Sequence, residues 1–381
     1  MEEISNNKQL NLTITCASGV EKVTKSELKR LGFGENLPAV NGCIDFKGNL
    51  IDVARCNINL RTADRVYIKL KSFVATTFDQ LFEEVKNIDF SSFMPQDANI
   101  VVNGKCVKST LYAISACQSI IKKAICVSLS NSKDVEIIEK GEKYQIFFSI
   151  FKDEATIYLN TSGVGLHKRG YKEKVWIAPI KETLASSLLL MSDFYHETPF
   201  LDPFCGSGTI PIEACNIALN IAPNLNRDFD FLHWSWYDKN LFNLAKQEAK
   251  DKEQLNRKIE IFASDIDKKA IDLAKHHASR AGVINRINFN VCDVKDCVNT
   301  LKNGTIVTNP PYGERVYDKK DALECYKNLG ELKNRLNNWS AFIITAEKSF
   351  EKAFKKKADR VRKLYNSEKE CNFYYYYKER K

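Results

Sequence analysis

Alternation of apolar and polar positions along the chain divides it into two rhythms. Leu10–Cys16 repeats every second residue, as a half-buried strand does, and a helix over Val20–Leu31 is predicted to stop at Gly32. Gly42–Phe46 predicts a strand, Leu50–Asn57 a helix and Arg65–Phe73 a strictly alternating strand. Helices follow over Thr77–Lys86 and Tyr112–Leu129, with a strand at Asn99–Val102 between them. Tyr144–Phe151 and Glu154–Asn160 predict a hairpin turning at Lys152-Asp153. Short elements mixed in this way predict small α+β layers, not one large parallel sheet.

From about Ala178 the rhythm becomes regular β–α alternation. Helices are predicted over Ile180–Phe194, Thr209–Leu219, Lys268–Ala281 and Ala322–Asn337. Between and after them come strands at Phe200–Phe204, Ile259–Asp265, Ile287–Cys292, Thr305–Thr308, Ala341–Ala346, Arg360–Leu364 and Asn372–Tyr377. Such alternation predicts a doubly wound, mostly parallel sheet whose ligands lie beyond the carboxyl ends of its strands. A glycine-rich joint, Thr161–Tyr171, separates the two rhythms. An insert over Ala222–Arg257 interrupts the second one and carries Phe229, Phe231, Trp234, Trp236 and Tyr237. Core packing, or a lid over the sheet, is favoured for these rings over a base-stacking platform.

At 381 residues the chain is long enough for two or three cores. It holds no apolar run of the ~18 residues that would cross a bilayer. Its first residues are acidic and polar, unlike a secretion signal, so a cytoplasmic location is expected and no membrane partner. The 12 cysteines are scattered without a CxxC pair, the pattern of free thiols and not of zinc or disulfides.

Charge adds a partner. The net charge is +9, and residues 1–165 hold 20 basic against 19 acidic side chains, so the excess lies in the second part. Local patches matter more. Ala98–Lys133 contains Lys105, Lys108, Lys122, Lys123 and Lys133 and no acid; His167–Lys174 and Lys348–Lys363 are also basic. Segregated positive patches favour a polyanion, with Lys105, Lys122, Lys123, Lys168 and Arg169 as candidate contacts.

The candidate chemistry falls at predicted strand ends. In Leu201–Thr209 a strand closes on Asp202, and Gly206 and Gly208 allow a tight turn and close backbone approach before a helix N-terminus. Pro211 leaves a GxGxxG pattern incomplete, so the turn is not a dinucleotide fingerprint. Asp265 closes the next strand, where a carboxylate can accept both hydroxyls of a ribose; Asp267 reads better as the N-cap of the following helix, although the two acids could exchange roles. Asp293 ends a third strand and suits an adenine amine. The fourth motif is Asn309-Pro310-Pro311-Tyr312-Gly313. Two prolines remove N–H donors and leave acceptors, the Pro310 carbonyl and the Asn309 side-chain oxygen. Accepting both N–H bonds of an exocyclic amine stabilises the positive charge it develops on alkylation, and Tyr312 is expected to stack on the base.

These motifs resemble those of class I methyltransferases of the amino-methylating group. The whole chain is similar to THUMP-domain RNA methyltransferases, specifically the RlmL-like 23S rRNA guanine-N2 enzymes. Thr161–Tyr171, the helix from Ala178, and Leu364-Tyr365-Asn366 with Cys371 extend the likeness, although Ser367 stands where glycine commonly follows that asparagine. The resemblance implies a ferredoxin-like domain over 1–65, a THUMP domain over 66–162, a linker over 163–178 and a Rossmann-like, seven-stranded methyltransferase domain over 179–381. It implies S-adenosylmethionine (SAM) on Asp202, Pro203, Cys205, Gly206, Ser207, Gly208, Thr209, Asp265, Ile266 and Asp293. Catalysis would fall to Asn309, Pro310, Pro311 and Tyr312. RNA is the implied partner, and no metal is expected. The likeness is to the first half of the fused RlmKL enzyme, so the activity of the other half is not expected here. A tRNA substrate, adenine-N6 methylation of DNA or RNA, and a non-catalytic assembly factor are the competing readings.

Overall fold

The computed structural model describes residues 9–40, 42–130, 139–173, 180–297, 301–313 and 319–378. Lys133, Lys174, residues 174–178 of the expected linker, and Glu314-Arg315 after the Asn-Pro-Pro-Tyr loop lie outside the described residues.

The first half builds one sheet. Its strands are β1 (Leu10–Cys16), β2 (Ala39–Val40), β3 (Cys43–Gly48), β4 (Ala63–Val74), β5 (Asn99–Val107), β6 (Lys143–Phe151) and β7 (Glu154–Asn160). They pair in the order β2-β3-β1-β4-β7-β6-β5, antiparallel except for β5 with β6. The separate layers expected from the sequence are therefore joined. The 12-residue β4 pairs with β1 on one side and β7 on the other, so a single strand spans the expected boundary at residues 65 and 66.

Helices α1 (Glu21–Arg30), α2 (Leu50–Asn59), α3 (Phe78–Lys86) and α4 (Ile114–Ser130) accompany this sheet. Reciprocal caps start two of them: Asn49 with Asp52 for α2, and Thr77 with Gln80 for α3. Leu12, Ile14, Val66, Ile68, Ile146 and Phe148 face one core with these helices. Thr13, Thr15, Lys69, Lys105 and Ser149 alternate with those positions and face away.

The second half is a separate sheet of β8 (Phe200–Asp202), β9 (Ile261–Asp265), β10 (Asn288–Val291), β11 (Gly304–Thr308), β12 (Trp339–Thr345), β13 (Arg360–Asn366) and β14 (Lys369–Tyr376). The order is β10-β9-β8-β11-β12-β14-β13, with only β14 reversed. Helices α5 (Glu182–Met191), α6 (Thr209–Ala218), α7 (Lys239–Asp251), α8 (Lys268–Arg280), α9 (Lys319–Arg335) and α10 (Phe350–Phe354) complete the chain. Residues of α5, α6 and α8 share a core with Phe342 and Ile344 of β12. Residues of α9 and α10 share the opposite core with Ala341 and Ile343. That alternation is why β12 is buried at every position. Strands β8 and β11 lie side by side while the chain winds away from them in opposite directions, which opens a crevice at their carboxyl ends.

The aromatic insert does not cover this crevice. Phe229, Phe231, Trp234 and Tyr237 belong to the core of the first sheet, with Ala245 and Ala249 of α7. Trp234 stacks on Tyr144 at 5.2 Å and donates from Nε1 to the Lys143 carbonyl at 3.1 Å. Arg55 of α2 forms two hydrogen bonds with Glu248 of α7. The second half thus supplies part of the first half's core.

The glycine-rich joint is packed as well. Leu166 and Tyr171 are buried, and Gly163 adopts φ +70°, where an added Cβ would lie 2.1 Å from Asp230. The short β2, α7 and α10 were not anticipated, being too brief or too polar for periodicity to reveal.

Candidate active site

The four strand-end motifs lie along the carboxyl edge of the second sheet. Strand β8 delivers Asp202 into a fully buried position. Asp202 Oδ1 accepts from Thr308 Oγ1 of β11 at 2.7 Å and from the Phe204 N–H at 3.2 Å. Its Oδ2 is buried without a hydrogen-bond partner among the described residues. Burial pushes this carboxyl up to about 7, against the two hydrogen bonds that favour its ionised form. An unpartnered carboxylate oxygen held this way suits a cationic group of a ligand.

After Asp202 the backbone turns through Cys205, Gly206, Ser207 and Gly208. Gly206 and Gly208 have φ +51° and +84°, the left-handed region that glycine adopts without penalty. A Cβ at Gly208 would meet Ala274 of α8 at 2.9 Å, so the turn also needs glycine for helix contact. Gly208 is the N-cap of α6 and offers no side chain, leaving the first-turn N–H groups uncapped. Beneath the turn, buried His277 donates from Nδ1 to the Ser207 carbonyl at 3.0 Å, and burial lowers its pKa, keeping it neutral.

Asp265 ends β9 beside the turn. It accepts from the Gly206 N–H and the Asp267 N–H, both at 3.0 Å, and burial raises its carboxyl above the ordinary range. Ile266, at 57% exposure, is an apolar rim next to it. Asp267 caps α8 through the Lys269 N–H, as its position suggests. Asp293 closes the row after β10, where it accepts from the Lys295 N–H at 3.1 Å and lies 3.3 Å from Lys295 Nζ. Pro203, Cys205, Ser207 and Thr209 are buried in the wall beneath these groups. The buried acceptor, the open glycine turn and the apolar rim fit a cationic nucleoside such as SAM.

Asn309 follows β11, directly beside Asp202 across the Thr308 bond. Pro310 is buried, and the Pro311 carbonyl accepts from Tyr326 Oη of α9 at 2.7 Å, which pins the loop. Both ends of the loop have partners. The Asn309 side-chain oxygen already accepts from Tyr312 Oη at 2.6 Å. The Tyr312 ring is half-buried against the core, with Lys369 Nζ 5.2 Å from its centroid. Its hydroxyl fixes the Asn309 amide, and the second lone pair of the amide oxygen can still accept another hydrogen bond.

The expected RNA contacts separate. Lys105, Lys123 and Lys168 are exposed, whereas Lys122 is half-buried and paired with Glu139 at 2.5 Å. Arg169 is not a surface group. It donates to the carbonyls of Leu166 and Arg61 and to Asn224, and its Nε lies 3.8 Å from buried Glu213 Oε1. Glu213, on α6, also accepts from Tyr171 Oη and Ser186 Oγ. Arg169 thus ties the joint to the helix that carries the glycine turn.

Thr308, His277, Tyr326 and Glu213 escaped the motif search. Only Glu213 carried a signal, an acid in an otherwise apolar stretch of helix.

The sheet order, the glycine turn and the row of strand-end acids define a class I methyltransferase with SAM as its cofactor. The chain belongs to the family described as "RMKL-like, methyltransferase domain", which matches residues 169–374. An "RlmL ferredoxin-like domain" matches residues 11–67 and a "THUMP domain" residues 75–160. YpsC of Bacillus subtilis (strain 168), provisionally named an RNA methyltransferase, is 43% identical over 97% of this chain and 96% of its own length. "Ribosomal RNA large subunit methyltransferase K/L" of Shewanella baltica (strain OS155 / ATCC BAA-1091) is 31% identical over 96% of this chain, which spans 53% of that relative. The crystal structure of SMU.472, complexed with SAH, superposes with TM-score 0.92 at 37% identity, covering 98% of this chain and 100% of that one.

Proposed function

We propose that the chain transfers the methyl group of SAM to the exocyclic N2 amine of a guanine in RNA, with large-subunit ribosomal RNA as substrate. The observation that carries this reading is the acceptor-rich Asn309-Pro310 loop at the end of β11, one hydrogen bond away from buried Asp202 on β8. The THUMP domain and the relatives named for RNA and for large-subunit rRNA support the choice of substrate.

Asp202 Oδ2 would take a cationic group of SAM, Asp265 its ribose hydroxyls, and Ile266 and Asp293 its adenine. SAM supplies a methyl group on a positively charged sulfur, which leaves as the new N–C bond forms. The chain's own task is the amine. The Pro310 carbonyl and the second lone pair of Asn309 Oδ1 accept its two N–H bonds, holding the nitrogen pyramidal and stabilising its developing charge. Tyr312 orients Asn309, and Tyr326 holds the loop rigid. The nitrogen then loses one proton to water. A guanine must leave its stack to reach this pocket, which favours loops over duplex as targets.

The same acceptors suit adenine N6, so the test must identify the base. Incubation with SAM and purified large-subunit rRNA, tRNA or DNA, followed by nucleoside mass spectrometry, should yield N2-methylguanosine from rRNA alone. N6-methyladenine as the product would replace the reading, and the same product from tRNA would move the substrate.

A further inference from the structure

A second polar concavity lies far along the chain from the methyl-transfer motifs, on the face of the N-terminal sheet that carries no core cluster. It encloses about 280 Å³. Arg65 at the start of β4, Lys105 on β5 and Lys181 ahead of α5 line it, with His167 from the joint. These three cations come from three separate segments and His167 from a fourth, and none of the three cations forms an ion pair among the described residues.

The wall is aromatic. Tyr67, Phe147 and Tyr158 stand on neighbouring strands, with ring centroids 5.5 Å from Tyr67 to each of the others. Tyr158 and Phe147 are directly paired across β7 and β6. Asp64 is the one carboxylate in the lining, and burial raises its pKa, which weakens its opposition to an anion. Burial and the surrounding Lys181, Lys168, Arg169 and Arg65 depress His167 to about 4. The concavity is therefore a positive, partly desolvated site in want of negative charge.

It is also joined to the catalytic half. Lys181 is the N-cap of α5, and Cys16, another lining residue, leads into a turn where the Gly19 carbonyl accepts from Arg362 of β13.

We propose that this concavity seats a backbone phosphate of the RNA substrate, with the aromatic wall against the adjoining sugar or base. The proposal rests on the RNA reading above and adds the place of capture. Lys105 is the only residue of this site among the contacts that charge patterning selected. The others are single cations, brought together by the fold.

The test is fluorescence anisotropy of a labelled mixed-sequence RNA with the full chain, since phosphate contacts are sequence-independent. The variant R65Q/K105Q/K181Q should lose about tenfold or more in affinity near 0.1 M salt. Its log Kd against log salt slope should fall by about 0.7, the value for one phosphate contact on a single strand. K105E, at an exposed position, should show a loss in the same direction, and hydrogen exchange in β4–β7 like the parent's reports that each variant is folded. RNA should raise the His167 titration seen by NMR. An affinity within twofold of the parent with an unchanged slope, or an unmoved His167, would overturn the site. Full displacement of RNA by millimolar inorganic phosphate would overturn it too, in favour of a small-anion pocket. Methylation of rRNA by the parent, with binding unaffected in the variants, rejects the concavity and leaves the functional reading; a parent that methylates no RNA rejects that reading itself.

Discussion

The two seven-stranded sheets differ in what covers them. The C-terminal sheet has apolar core on both faces, α5, α6 and α8 on one and α9 and α10 on the other. The N-terminal sheet has its core on one face, completed by an insert from the second half, and bears polar side chains and the basic concavity on the other. A sheet buried on both sides can act only at its strand ends, and Asp202, Asp265, Asp293 and Asn309 all sit there. A sheet open on one side can present a whole face to a large partner. Methyl transfer needs a small dry pocket and RNA capture needs area, so the layering suits the proposed division of labour.

The largest expected effect breaks the C-terminal side of this comparison. Asn309→Ala should lower kcat by ~100-fold or more, the scale for losing one preorganised partner of developing charge. SAM affinity should stay within a few-fold by calorimetry, because on the proposed reading Asn309 meets only the base. A parallel loss of SAM binding would remove that role from Asn309.

Trp234→Ala tests whether the insert belongs to the N-terminal core. Removing a large side chain with 1% exposure, and its stack on Tyr144, should cost ~3–5 kcal/mol. Hydrogen exchange should accelerate in β6 and β7 far more than in β8, β9 and β11. Uniform acceleration would make the two halves one cooperative unit.

The pH dependence sharpens the role of Asp202. Its carboxyl is raised to about 7 from an ordinary 3.8, so the folded protein without cofactor holds this proton where the unfolded chain has lost it. Stability contributed by that proton is present below the ordinary value and is lost as pH rises through about 7. A cationic ligand needs the ionised form. SAM affinity should therefore be about tenfold higher at pH 8 than at pH 6, with proton uptake by buffer, and D202N should flatten the profile. A pH-independent affinity in the parent would place the ligand's cation elsewhere.

The smallest effect is expected on α4. K122Q/K123Q should weaken RNA binding only about twofold, since Lys122 is already paired with Glu139 and exposed charges are screened. A loss larger than that of R65Q/K105Q/K181Q would move the capture face to the helices.

What was legible in the sequence follows the same division. The β–α alternation and the glycine turn are local, so the C-terminal sheet and its row of acids could be read before the fold was seen. Thr308 and His277 escaped because their partners, Asp202 and Ser207, lie 106 and 70 residues away. The N-terminal sheet hid its continuity because β4 serves two domains, and periodicity marks a strand without naming its neighbours. Arg169 misled for a related reason. Within His167–Lys174 it looks like a surface cation, and only the fold shows it buried against Glu213. The aromatic insert was readable as core, but the core it fills lies in the other half of the chain.

The central claim, methylation of a guanine amine in large-subunit rRNA, is tested most directly by nucleoside mass spectrometry. Large-subunit rRNA and tRNA would be purified separately from cells with and without the gene. The account predicts that N2-methylguanosine falls in large-subunit rRNA when the gene is absent and returns with the parent gene but not with N309A. Unchanged N2-methylguanosine in that RNA, with another methylated nucleoside missing, would contradict it.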